Sequence, residues 1–292
     1  MKNIYKRRVI DRAAHWGITL GGATVILVIL TLFVFIFLEV FPLLKGASVV
    51  GTSTCSLSGK VVSVGIDEYQ EIAYAVYEDG NIDFISISDG KPIKRHSIKD
   101  VNGSTITAVC NDKGRSVMGT KDGRILSVNI GFSVSFENDD RIITPEIDDE
   151  EIVFTNEEEI AIQHIASNSD EGVSVTVFYT EGGRLILKST EIEETLFGGE
   201  EKIEAITDIT AMLATHAQTT SDKLAEQERN LQVTSLAIDY FTENLYVGTA
   251  HGEVIHINVR DRENPLQQER IKVSDESVTS LDFLLGDVSL IV

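Results

Sequence analysis

The chain is 292 residues long, 42% hydrophobic and 24% charged, enough apolar material to bury one large domain or two small ones, and this excludes a low-complexity or disordered protein. Its formal charge is -21, and because the first seventeen residues carry Lys2, Lys6, Arg7, Arg8 and Arg12 against Asp11, everything after them sums to -25. A surface that acidic repels nucleic acid, anionic lipid and free phosphate, and leaves basic protein faces or divalent cations as suitable partners of the main domain.

Residues 1–17 read as a basic flank on the cytoplasmic side of a membrane. From Ile18 to Leu38 the sequence is "ITLGGATVILVILTLFVFIFL", about twenty residues without a charge, the length a helix needs to cross the hydrocarbon core. A transmembrane helix is therefore expected over residues 18–41. A cleaved secretory signal fits less well, because the apolar run exceeds the usual ~7–15 residue core of such signals and no A-x-A-like site follows. The basic cluster before the helix, against Glu39 and a lone Lys45 after it, places the N-terminus in the cytoplasm and the acidic bulk outside. Trp16 and Phe41 stand where interfacial anchors belong, and Pro42 can end the helix. Gly21, Gly22 and Ala23 read either as a notch for another membrane helix or as ordinary glycine usage in a span.

Residues 42–60 form a linker, ending in the small-residue run "GASVVGTSTCSLSGK". Cys55 lies in it and Cys110 at the end of a strand-like run, so the two cysteines read either as free thiols or as one bridge. They are too few for a disulfide scaffold, and no C-x-x-C or Cys/His cluster points to a metal.

From residue 61 to 292 the period changes from helical to alternating. Five stretches begin alike: "VVSVGID" at Val61, "ITAVCND" at Ile106, "IAIQHIAS" at Ile160, "VTSLAID" at Val233 and "VTSLDFL" at Val278. Four later stretches, "YAVYEDGNIDFISI", "SVMGTKDGRILSVNI", "TVFYTEGGRLILKST" and "LYVGTAHGEVIHINV", each set an apolar strand, a glycine turn and a second alternating strand. Units of about 40–45 residues with four short strands predict a mainly β fold, an incomplete WD40-like β-propeller behind one transmembrane helix; the alternative is a β-sandwich of similar hairpins. Two insertions lengthen the spacing. Glu146–Glu159, "EIDDEEIVFTNEEE", reads as a solvated loop, or else as a cation-binding or partner-docking strip. The stretch "GGEEKIEAITDITAMLATHAQTTSDKLAEQERN" has Ile203, Ile206, Ile209 and Leu213 near helical spacing and suits an outward helix or helical hairpin, its Ile-Thr-rich centre alternatively an outer strand. No strict Trp-Asp blade signature occurs, since Trp16 precedes the span.

No nucleotide-binding P-loop, G-x-S-x-G or H-E-x-x-H motif is present. Asp79-Gly80-Asn81-Ile82-Asp83 resembles the opening of a calcium loop, but Asp-Gly is what a hairpin demands there and no Glu closes the ligand set. His251 and His256, five apart on a hairpin, point to opposite faces rather than to one metal. Gly182-Gly183-Arg184 reads as a turn rather than an anion cradle, for no helix follows it. The expectation is a chain with no catalytic, cofactor or metal residues and no cofactor, not an enzyme, its substrate-binding residues undefined.

The stretch "RRVIDRAAHWGITLGGATVILVILTLFVFIFLEVFPLLKGA", Arg7 to Ala47, resembles the first membrane helix and flanks of the long form of the bacterial phosphate ABC transporter permease, PstC type. Members of that form carry a large extracytoplasmic, propeller-like insertion after this helix, and the repeats beyond Lys60 fit it. The resemblance implies an inner-membrane protein with a periplasmic main domain that takes part in phosphate import. The implied partners are a second permease subunit, a cytoplasmic ATPase subunit that hydrolyses ATP, and an extracytoplasmic phosphate-binding protein. The family's remaining membrane helices are not in this sequence, so no transport-pathway residue carries over. Val278–Val292, "VTSLDFLLGDVSLIV", reads as two strands around Gly286-Asp287 and matches Val233–Val247 without the turn and strand that follow there, so the chain is expected to be a truncated piece of a longer permease. The alternative is a stand-alone anchored propeller that scaffolds envelope proteins. A third reading, an anchored propeller enzyme, would need Asp, Glu or His residues converging in the central channel.

Overall fold

The computed structural model describes residues 2–41, 54–112, 114–137, 140–156, 158–170, 172–194, 200–213, 232–284 and 289–292. The chain divides into two compact units, Met1–Ser53 and Thr54–Val292.

The first unit is one helix, α1 (Lys2–Val40). It starts well before Ile18 because nothing in "KNIYKRRVIDRAAHW" breaks it: there is no proline, and the first glycine is Gly17. Within it Ala14–Val40 contains an 18-residue window with a mean hydropathy of 2.8 and is exposed throughout. These 27 residues rise about 40 Å, enough to cross a membrane, a property that anchors and signal sequences share. The hydroxyls of Thr19, Thr24 and Thr31 donate to the carbonyls of His15, Leu20 and Leu27 at 2.8–2.9 Å. The helix thus satisfies its own polar groups, as an apolar medium requires. Pro42 and residues 42–53 of the linker lie outside the described residues.

The second unit is mainly β, four four-stranded antiparallel sheets like propeller blades and a short fifth. The first sheet is β1 (Val61–Ile66), β2 (Ile72–Tyr77), β3 (Asn81–Ser86) and β4 (Pro92–Ser97). The second is β5 (Ile106–Asp112), β6 (Arg115–Thr120), β7 (Arg124–Glu137) and β8 (Asp140–Thr155). The third is β9 (Ile162–Asp170), β10 (Val173–Thr180), β11 (Leu185–Glu194) and β12 (Glu200–Asp208), and the fourth β13 (Val233–Ile238), β14 (Asn244–Thr249), β15 (Glu253–Asn258) and β16 (Leu266–Lys272). A two-stranded sheet pairs β17 (Asp282–Phe283) with β18 (Leu290–Ile291). Each four-stranded sheet is a simple meander.

The core is split into three wedges between successive sheets rather than gathered between two large ones, which decides against a β-sandwich. Met118, Leu126 and Val128 face the first sheet, where Tyr74, Val76, Ile82 and Phe84 meet them. Val117 and Ile125 face the third sheet and meet Ile165, Phe178 and Ile186. Val175, Val177, Leu185 and Leu187 turn the other way, toward Leu245, Val247, Ile255 and Ile257. Sheets buried on both faces need apolar side chains at successive positions, hence runs such as "SVMGT" and "TVFYT".

Two recurring dipeptides lock neighbouring sheets. The second residue of "ITAV" and "VTSL" is a threonine whose hydroxyl donates to the start of the next unit, Thr107 to the Ile162 carbonyl at 2.5 Å and Thr234 to the Val278 carbonyl at 2.6 Å. The glycine of "MGT" and "VGT" makes room for that same next residue: a Cβ on Gly119 would lie 2.5 Å from Ile162 Cγ2, and one on Gly248 2.7 Å from Val278 Cγ1. Ile162 and Val278 are therefore equivalent, and the third unit begins at Ile162, two residues after the start expected from the pattern. The pairs Thr107–Ile162, Cys110–Ser167 and Asp112–Ser169 advance together, so neighbouring first strands run parallel.

Two expectations need correction. The acidic segment 146–159 is mostly strand: β8 pairs with β7 down to Asp140, and an outermost strand needs only one apolar face, so its acidic residues can alternate into solvent. Pro145 is tolerated on this edge because it has no further ladder to donate to. Residues 200–208 form the outer strand β12, the alternative reading of this stretch, rather than a helix, paired with β11 from Ile186↔Asp208 to Glu194↔Glu200, and a 3-10 turn follows at Thr210–Leu213. Residues 214–231 lie outside the described residues, as does the turn expected at Gly286-Asp287. Cys55 and Cys110 are both free thiols.

Candidate interaction surface

The loops between first and second strands lie at one end of the sheets, and two of them are the same structure written twice. In "DEYQEI" Asp67 accepts the backbone N–H groups of Tyr69, Glu71 and Ile72 at 2.6–2.7 Å. In "DYFTEN" Asp239 accepts those of Glu243 and Asn244, both at 2.8 Å. The residue three beyond each aspartate is left-handed, Gln70 at φ 59° and Thr242 at φ 57°. Burial raises the Asp67 carboxyl, but the three N–H groups outweigh it and hold the pKa below its usual value. These clamps present Tyr69, and the edge-to-face pair Tyr240 and Phe241 with centroids 5.4 Å apart, as exposed rings. Gln70→Gly removes the left-handed strain without touching the clamp and is expected to raise stability by about 0.5–1 kcal/mol, read from the denaturant midpoint.

Beside the Asp239 loop opens a cavity of about 320 Å³, lined by Cys110, Asp112, Asn168, Tyr240, Asp282 and Phe283 among others. Burial pushes the Cys110 thiol up, and Asp112 and Asp282 push it the same way. Its sulfur sits 3.3 Å from the Ser167 backbone nitrogen, a packed thiol rather than an activated nucleophile.

The sequence motifs fall at structural posts. Asp79 caps its own hairpin through the Asn81 N–H at 3.0 Å, with Gly80 at φ 84°. Asp83 is gripped by Arg95, which lowers its pKa against burial, and by the Tyr77 hydroxyl at 3.0 Å. Gly183 turns at φ 80°, and Arg184 bonds Asp208 at 3.0 Å. His256 stacks flat on Tyr246, centroids 4.7 Å apart, and its Nε2 lies 2.9 Å from Asn244 Oδ1. His251 sits exposed in the turn before Gly252.

Burial lowers the pKa of His256 and also of His164. A histidine whose folded pKa is depressed contributes stability fully present above its unfolded value of about 6.5 and lost as pH falls below it. The solubilised chain should lose thermal stability as pH falls below about 6.5, and the His164→Gln/His256→Gln double variant should lose less. An unchanged slope in the double variant would contradict this assignment.

No family model matches the chain, and no curated protein matches it. Among solved structures it is similar to the Myceliophteria thermophila Cps50 (Swd1) beta-propeller domain, at 12% identity and a TM-score of 0.48, over 81% of this chain and 63% of that one. The chain thus spans under two thirds of that domain.

Proposed function

We propose that this chain is a membrane-anchored, extracytoplasmic interaction module, its helix held in the bilayer and its acidic blade-like sheets offered to protein partners. The observation that carries this reading is the exposed apolar span Ala14–Val40, preceded by a basic flank and followed by sheets of strongly negative charge. The process it serves is phosphate import, as part of a permease of the PstC type. The sequence of residues 7–47 supports that assignment. The second permease subunit, the ATPase and the phosphate-binding protein are then its partners, with ATP hydrolysis in the separate ATPase subunit. The acidic sheets repel phosphate, so the ion is delivered by the binding protein rather than captured by the blades.

Two experiments test this. Affinity purification of the tagged chain from its native membrane should recover the other importer subunits; recovery of envelope-assembly proteins in their place would favour the scaffold reading. Calorimetric titration of the solubilised chain with inorganic phosphate should show no saturable heat, and a micromolar site would overturn delivery by a partner.

A further inference from the structure

The β7–β8 hairpin outgrows its sheet. Other third and fourth strands of the first and fourth sheets have six or seven residues, whereas β7 has 14 and β8 has 16. The additional length leans across the first sheet and is fastened there. Phe132 packs against Tyr74 and Phe84 with centroids 6.3 and 6.1 Å away. Lys94 Nζ donates to the Pro145 carbonyl at 3.2 Å, and His96 pairs with Glu150. Arg141 bonds Glu71 and lies 4.1 Å over the Tyr69 ring. The row Ile130, Phe132, Val134, Phe136 keeps one face by alternation, but the first sheet covers only its beginning. Val134 is 40% exposed and Phe136 73% exposed.

A fastened arm that holds an aromatic side chain out in water needs a purpose, since scattered apolar surface does not require a braced extension. Charge selects the occupant. Residues 133–151 contain eight carboxylates and one basic residue, Arg141, which Glu71 already pairs. Glu137 and Asp140, both exposed, pair across the strands directly beside Phe136. Carboxylates at the rim oppose an anionic lipid surface and favour a protein face carrying lysine or arginine around an apolar recess. We propose that the tip of this arm is a docking knob: Phe136 and Val134 enter an apolar recess on a protein partner, and Glu137 and Asp140 engage basic residues at its rim. The proposal is independent of whether the process served is phosphate import.

The test uses the full chain in its native membrane, with photoreactive p-benzoylphenylalanine at position 136. Illumination should give one discrete protein adduct. Its yield should fall at least tenfold when Glu137→Lys and Asp140→Lys are combined, and fall again in high salt. The same probe at exposed position 266, on the fourth sheet, should not give that adduct. With the probe moved to position 134, Phe136→Ser should also lower the yield at least tenfold while leaving the unfolding midpoint unchanged, which separates lost docking from lost folding. No adduct, adducts only to lipid or to a second copy of this chain, or a yield indifferent to charge reversal would each overturn the proposal.

Discussion

Phe84→Ala is expected to lower the stability of the sheet unit by about 3–5 kcal/mol, the cost of deleting a buried aromatic ring and leaving its cavity. Phe84 is fully buried on β3, and its ring meets Tyr74 on its own sheet and Phe132 on the arm that crosses from the second sheet. Losing it therefore loosens the first wedge and the base of the arm together. Urea denaturation should show a lower midpoint, and limited proteolysis should cut the β7–β8 arm sooner. Phe136→Ala on the same arm removes an exposed ring and should change stability by less than about 0.5 kcal/mol. Equal effects at the two positions would mean that the arm does not lie on the first sheet as described.

The second large effect is at a joint between sheets. Gly119→Val should destabilise by about 1–3 kcal/mol or more, because the new side chain occupies space already held by Ile162, 2.5 Å from where its Cβ would stand. The clash is specific, so shortening the partner should relieve it. Ile162→Ala alone costs about 2–5 kcal/mol for the cavity, while the double variant should be more stable than the sum of the two, by about 0.5–3 kcal/mol of coupling. Simple additivity in this cycle would remove Gly119 from the joint.

These positions also show what the sequence could reveal. The glycine turns were legible because a tight hairpin leaves few alternatives: Gly80, Gly123, Gly183 and Gly252 all have positive φ. The recurring "IT" or "VT" and "GT" were visible as repeats, but their purpose was not, since each contacts a residue some thirty or more positions away in the next unit. The aspartates ending "GID" and "AID" were in plain view too. Their partners are backbone N–H groups, which carry no sequence signature, and so the matched clamps at Asp67 and Asp239 became apparent only in three dimensions. The arm was misread for a different reason. A run such as "EIDDEEI" satisfies the composition of a loop, and only its pairing with the apolar row on β7 makes it a strand. The span was the most legible element, because length and apolarity alone define it. Its N-terminal extension to Lys2 was not, since helix propagation through a basic flank leaves no periodic mark.

The central claim is that the apolar helix is retained as an anchor and holds the acidic sheets outside the cytoplasm. Cys55, exposed just beyond the span, reports on this directly, for Cys110 is packed against Ser167 and reacts more slowly. Right-side-out membrane vesicles bearing the chain can be treated with a membrane-impermeant maleimide, alongside an Arg12→Cys variant that also carries Cys55→Ser, and the labelled chain weighed intact. The account predicts that Cys55 is labelled without permeabilisation, that position 12 is labelled only after it, and that the mass includes residues 1–40. Protection of Cys55 until the membrane is opened, or a mature chain lacking the helix, would contradict it.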